Sequence, residues 1–212
     1  MVSGRIGLLG GTFDPVHNGH LMLAEEARST MGLDRVLFVP AGQPPHKLNE
    51  SHSAPTHRVR MLELAIASNP TFDISRVDID RPGPHYSVDM VRLIRGKMGN
   101  AAELFFLMGL DSLANLMTWY EPAELLAQCR LVVARRPGST IDHDALISAL
   151  PSLEDRLYFI EMPLIEIAGE DLRRRVRCGQ PIRYQVPEVV RDYILEQGLY
   201  VAKEHAAQRQ SE

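Results

Sequence analysis

Two histidines three residues apart, His17 and His20, stand with Gly19 between them, directly after the run Gly10-Gly11-Thr12-Phe13-Asp14-Pro15-Val16. Glycines let a backbone approach an anion closely and adopt positive φ where a turn needs it. The open N–H groups at the start of a following helix then attract negative charge, helped by the helix dipole. Asn18 is a suitable N-cap. With spacing i, i+3, both imidazoles can reach the same space, and Gly19 puts no side chain in the way of a phosphate or a flat base. The chemistry is that of polyphosphate. A tight turn with two surface histidines is the plainer reading of the same residues. A zinc site is a poorer match, because no H-E-x-x-H pattern and no third ligand follow. The G-x-G-x-x-G fingerprint of dehydrogenases is absent.

Further candidates lie downstream. Pro44-Pro45-His46-Lys47 is a stiff loop with a mobile cation for a phosphate, or a solvated lysine. Thr56-His57-Arg58-x-x-Met61 reads as a helix opening with core packing. In Pro84-His85-Tyr86-Ser87 the serine is placed to cap the next helix. Gly109, Asp111, Trp119 and Tyr120 follow an apolar run. There Asp111 can accept hydrogen bonds from sugar hydroxyls, and the sole tryptophan is either core or a flat platform for a ring. His52, His143 and His205 read as solvated loop or tail residues, and Arg135-Arg136-Pro137-Gly138 as a solvated turn or a contact to adenosine.

These residues need a scaffold. Short apolar runs alternate with amphipathic stretches, the pattern of a parallel sheet covered on both faces by helices. Strands are expected at Ile6–Leu9, Arg35–Val39, Phe72–Val77, Glu103–Met108 and Leu131–Ala134, with a short sixth at Tyr158–Ile160. Helices are expected at His20–Met31, Thr56–Ala67, Val88–Lys97, Asp171–Cys178 and Pro187–Gln197. The reading is an α/β, Rossmann-like, doubly wound parallel sheet. In such a sheet ligands gather at the C-terminal strand ends, where the strand order reverses, and the candidate residues fall there.

Composition narrows the function class. The 212 residues are 45% hydrophobic and 24% charged with a net charge of −4, which gives no basic field for nucleic acid. One domain over residues 1–202 with a flexible tail at 203–212 is expected. Cys129 and Cys178 form no C-x-x-C pair, so neither zinc nor a disulfide framework is indicated. No apolar run approaches the ~20 residues of a membrane span, and no secretory segment precedes the first strand. A cytoplasmic protein acting on small molecules is expected.

The segment Gly10–Leu21, GGTFDPVHNGHL, resembles the HxGH signature of the nucleotidylyltransferase superfamily, and in its longer form that of bacterial nicotinate-nucleotide adenylyltransferases. The loop with Lys47, the H-R-x-x-M helix start, Gly109-x-Asp111 and Trp119-Tyr120 match that family in order. The resemblance implies transfer of AMP from ATP to nicotinate mononucleotide, giving deamido-NAD and pyrophosphate. It implies ATP contacts from Gly10, Gly11, Thr12, Phe13, His17, Gly19, His20 and Arg173. Catalytic roles go to His17, His20, Lys47 and Arg173, and Mg2+ rides on the ATP phosphates with no protein metal site. Acceptor contacts would come from Lys47, Tyr86, Ser87, Gly109, Asp111, Trp119 and Tyr120, with the tryptophan stacked on the pyridine ring. The acid is favoured over the amide, because backbone donors suit a carboxylate.

The chain departs from the family at Ile167-Ala168-Gly169-Glu170-Asp171-Leu172-Arg173, where the family has I-S-S-T-x-I-R. Three hydroxyls are lost, and the carboxylates would repel a triphosphate reaching that helix start. Two alternatives therefore stay open here: a catalytically weakened dinucleotide sensor, and an adenylyltransferase for nicotinamide mononucleotide or another acceptor.

Overall fold

A computed structural model describes residues 4–42, 52–135, 141–163 and 165–201. The loop with Lys47, Arg136–Gly138 and the expected tail lie outside the described residues. Six strands form one parallel sheet: β1 (Gly4–Gly11), β2 (Arg35–Pro40), β3 (Phe72–Ile74), β4 (Ala102–Gly109), β5 (Arg130–Arg135) and β6 (Leu157–Glu161). Their order is β3-β2-β1-β4-β5-β6. The order reverses beside β1, which pairs with β2 on one side and β4 on the other. The expected fold class is present, and its switch point lies between the turn after β1 and the end of β4.

The strands read as unbroken apolar runs because both sheet faces are covered. Along β4, Leu104, Phe106 and Met108 enter one core cluster, whereas Phe105 and Leu107 enter the other. The first cluster is closed by α3 (Ser87–Met98), α5 (Pro122–Gln128) and α6 (His143–Ala149). The second is closed by α1 (Asn18–Met31), α2 (Pro55–Ile66), α7 (Gly169–Arg177) and α8 (Glu188–Glu196). Between β4 and α5 lie α4 (Leu110–Ala114) and a 3-10 turn at Leu116–Thr118.

Differences from the sequence expectation are local. The third strand stops at Ile74 rather than Val77. It is an edge strand whose partner β2 ends at Pro40, and past Ser75 the chain turns, carrying Val77 into the opposite core cluster. The helices α4, α5 and α6, of five to seven residues, are too short to display a 3.6-residue period. His143 starts α6 instead of lying in a loop. Both cysteines are free. No helix among the described residues is long and apolar enough to cross a membrane.

Candidate active site

A cavity of about 810 Å³ opens at the switch point, walled by the turn after β1, the ends of β2, β4 and β5, and the starts of α3 and α4. His17 and His20 both line it, with ring centroids 3.6 Å apart and planes 22° from parallel. The expected convergence of the two imidazoles is present. His17, not Asn18, occupies the N-cap position of α1. The Asn18 side chain turns outward and donates to the Tyr184 carbonyl at 2.7 Å. The His17 backbone N–H donates to Nδ1 of His20 at 3.3 Å. That bond needs a lone pair on Nδ1, so the proton of a neutral His20 sits on Nε2.

Burial sets the charge of the pair. It lowers the His17 pKa from 6.5 to about 4, and it holds His20, which also feels His17, well below its usual range although part of its ring faces the cavity. Without a ligand both rings are therefore neutral at pH 7. Nδ1 of His17 is buried without a hydrogen-bond partner. The His17 side chain faces the backbone N–H of His20 across the helix start, in capping-box geometry.

The glycines work through proximity. Gly10 and Gly11 still belong to β1, and neither has the positive φ foreseen for them. A Cβ on Gly11 would lie 3.0 Å from the Phe13 ring, and one on Gly19 would lie 3.1 Å from Nδ1 of His17. Phe13 does not line the cavity: its ring is 1% exposed and meets His20 edge-on at 4.9 Å. It supports the imidazole from behind.

Beneath this turn is a charged network. Asp14 is 3% exposed, and its carboxylate accepts from the Tyr200 hydroxyl at 2.6 Å and the Ser53 N–H at 3.0 Å. Burial pushes its pKa up, but the Tyr200 and Ser53 bonds and nearby Arg173 outweigh that and hold it below 3.8. His52 is not a solvated loop residue, since its Nδ1 lies 3.5 Å from the Asp14 carboxylate. Arg58, 1% exposed, donates to the carbonyls of Ser53, Thr12 and Ala41. It binds the turn after β1 to the loop after β2, a role beyond the core packing expected of it.

Of the acceptor candidates, Tyr86, Ser87, Gly109, Asp111, Trp119 and Tyr120 all line the cavity. Ser87 is the first residue of α3 and Tyr86 its cap, with no side-chain capping bond from either. The Ser87 hydroxyl is therefore not the expected cap. Trp119 is half-buried, edge-on to Phe106 at 5.7 Å, and the Tyr86 and Tyr120 rings lie 4.5 Å apart. Sequence reasoning missed Asp78 and His85, which also line the cavity. Burial raises the Asp78 pKa against the pull of Arg81, whose guanidinium lies 2.8 Å away. The Asp78-x-x-Arg81 spacing was the available signal.

Arg173 does not line the cavity; its Nη1 donates to the Asp14 carbonyl at 2.8 Å. Glu170 and Asp171 are exposed on α7, with Asp171 2.7 Å from Arg174, so they do not face the cavity as the sequence suggested. Arg135 lies over the Phe159 ring at 3.6 Å, away from the cavity wall.

The Cytidylyltransferase-like family model matches residues 8–175. The "Probable nicotinate-nucleotide adenylyltransferase" of Thermomicrobium roseum is 50% identical over 196 residues, covering 92% of this chain and 91% of its own. The protein of that name from a Roseiflexus species is 46% identical over 200 residues, 94% of this chain and 100% of its own. Nicotinic acid mononucleotide adenylyltransferase of Plasmodium falciparum, solved with NaAD, superposes with a TM-score of 0.75 over 92% of this chain and 97% of its own. At 19% identity that likeness is one of fold.

Proposed function

Because the chain belongs to the cytidylyltransferase-like family, and within it to the nicotinate-nucleotide adenylyltransferases, we propose that it transfers AMP from ATP to nicotinate mononucleotide. The products are deamido-NAD and pyrophosphate, a step of NAD biosynthesis. An ionised oxygen of the mononucleotide phosphate attacks the α-phosphorus of ATP in line. The new P–O bond forms as the bond to the bridging oxygen breaks, and pyrophosphate leaves with the electron pair. No general base is needed, since the attacking oxygen carries no proton.

Catalysis of this type is positioning plus neutralisation of charge. The observation that carries the reading is the stacked His17–His20 pair, held neutral on the wall of a cavity that also bears Trp119. The two rings are proposed to donate N–H bonds to the triphosphate, whose charge raises their proton affinity on binding. Among the described residues, no lysine or arginine lines the cavity. Permanent positive charge is assigned to Lys47, to Arg173 acting through donors beyond the one that Asp14 takes, and to Mg2+. The buried carboxylates near the turn are already occupied, Asp14 by Tyr200 and Asp78 by Arg81. Among the described residues no group of three side chains is placed to hold a metal ion. Mg2+ arriving with the nucleotide would supply neutralisation of the leaving pyrophosphate. Ser87, Asp111 and the Trp119-Tyr120 pair are assigned to the acceptor.

Pyrophosphate release from ATP tests this with nicotinate mononucleotide, nicotinamide mononucleotide and phosphopantetheine as acceptors. Fastest turnover with the first is expected. Tight binding of the dinucleotide without turnover of any acceptor would identify a sensor instead.

A further inference from the structure

The histidine turn is tied down from the C-terminal part of the chain, outside the cavity wall. Four hydrogen bonds run from residues 173–200 onto residues 14–18. Arg173 Nη1 and the Tyr200 hydroxyl donate to the Asp14 carbonyl and carboxylate at 2.8 and 2.6 Å. The Asn18 backbone N–H and side-chain amide donate to the carbonyls of Gln185 and Tyr184 at 2.9 and 2.7 Å. None of Arg173, Tyr184, Gln185 or Tyr200 lines the cavity.

Two of the four carry backbone strain. Tyr184 and Tyr200 both have φ 66°, a conformation that costs a non-glycine residue free energy and persists only where the surroundings enforce it. The Tyr184 ring is 84% exposed, so no side-chain packing explains its backbone, whereas its carbonyl meets Asn18. Asp14 is buried, and its bond to Tyr200 is of the strong, charge-assisted kind. His17 is three residues from one anchor and adjacent to the other, so slack in either moves the imidazole.

We propose that the segment Arg173–Tyr200 is a clasp that sets the placement of the His17–His20 pair, with Tyr200 as its main positioning residue. The inference rests on the adenylyl-transfer reading for its effect on rate, but not for its effect on nucleotide binding. Misplacement of reacting groups by a fraction of an ångström costs rate steeply. Tyr200→Phe removes one hydroxyl and leaves the ring. It is expected to lower kcat for pyrophosphate release about tenfold and raise the KM for MgATP at least threefold, with the acceptor KM within twofold.

Tyr193→Phe is the control. It deletes another tyrosine hydrogen bond, between the Tyr193 hydroxyl and Nδ1 of His57 at 2.8 Å, in the same region but away from the turn. It should leave all three constants within twofold. Calorimetric titration with MgATP alone should keep a stoichiometry of one per chain for both variants, with weakened affinity only for Tyr200→Phe. Should wild type release no pyrophosphate, adenylyl transfer is wrong and the titration still reads the clasp. Should Tyr200→Phe not fold, Asn18→Ala loosens the other anchor and is measured in the same way. Wild-type kcat and MgATP affinity in the loosened variant, or equal losses in Tyr193→Phe, would overturn the proposal.

Discussion

The histidine turn and the aromatic rim line the same cavity, yet they are built differently. At the turn, Phe13, Asp14, Val16 and Arg58 are each 3% exposed or less, and hydrogen bonds arrive from Ser53 and Arg58, from Arg173 and from Tyr200. At the rim, Tyr120 is 51% exposed and stands between short helices. Glu121 beside it has φ 49° and is held by Arg92 across an exposed ion pair of 2.6 Å. Short isolated helices have little stability of their own, and exposed pairs add at most about 1 kcal/mol. The difference matches the two tasks proposed for them. Charge in transit must be met by groups already in place, because reorienting them during reaction costs rate. A ring can be gripped by aromatic surfaces that adjust as it arrives.

Substitutions can break or sharpen that contrast. His20→Ala should cut kcat by on the order of a hundredfold or more, as loss of a preorganised donor does. Its melting temperature should change little, because a cavity-facing ring is removed. An unaltered rate of pyrophosphate release would remove His20 from the mechanism. Trp119→Ala should raise the acceptor KM about tenfold, the scale of a lost aromatic contact, while the KM for MgATP stays within twofold. Equal losses for both substrates would mean that rim and turn form one unit.

The buried histidines also predict a pH effect on stability. The unfolded chain takes up a proton on each ring near pH 6.5, whereas folded His17 does so only near 4. Between those values the unfolded state binds more protons, so stability falls as pH drops through this window. For His17 the full effect is on the order of 3 kcal/mol. Thermal melts of wild type and His17→Gln from pH 7 to 4 should show a shallower decline in the variant; parallel curves would contradict the assigned burial. The smallest effect belongs to Arg92→Ala. It should shift stability by less than about 1 kcal/mol and acceptor KM by less than threefold. A larger change would make the rim as tightly fixed as the turn.

Much of this was legible in the residues. A run such as Leu104–Met108 that is apolar at every position admits only an element buried on both sides. The glycine–histidine spacing of Gly10–His20 announced polyphosphate chemistry before any contact was known. The cap of α3 was misplaced by one residue and the C-terminal end of the third strand by three, whereas its start at Phe72 was placed correctly. Such boundaries depend on which partner strand continues and which side chain turns inward.

The local pattern thus determined the fold class and the candidate turn, since periodicity and residue chemistry act over a few neighbours. Only the tertiary structure decided that the Phe13 ring packs behind His20, and that burial lowers the proton affinity of both imidazoles. It alone put Tyr200, 186 residues from Asp14, beneath the site. Burial and long-range pairing are properties of the assembled core, and no sequence window contains both partners.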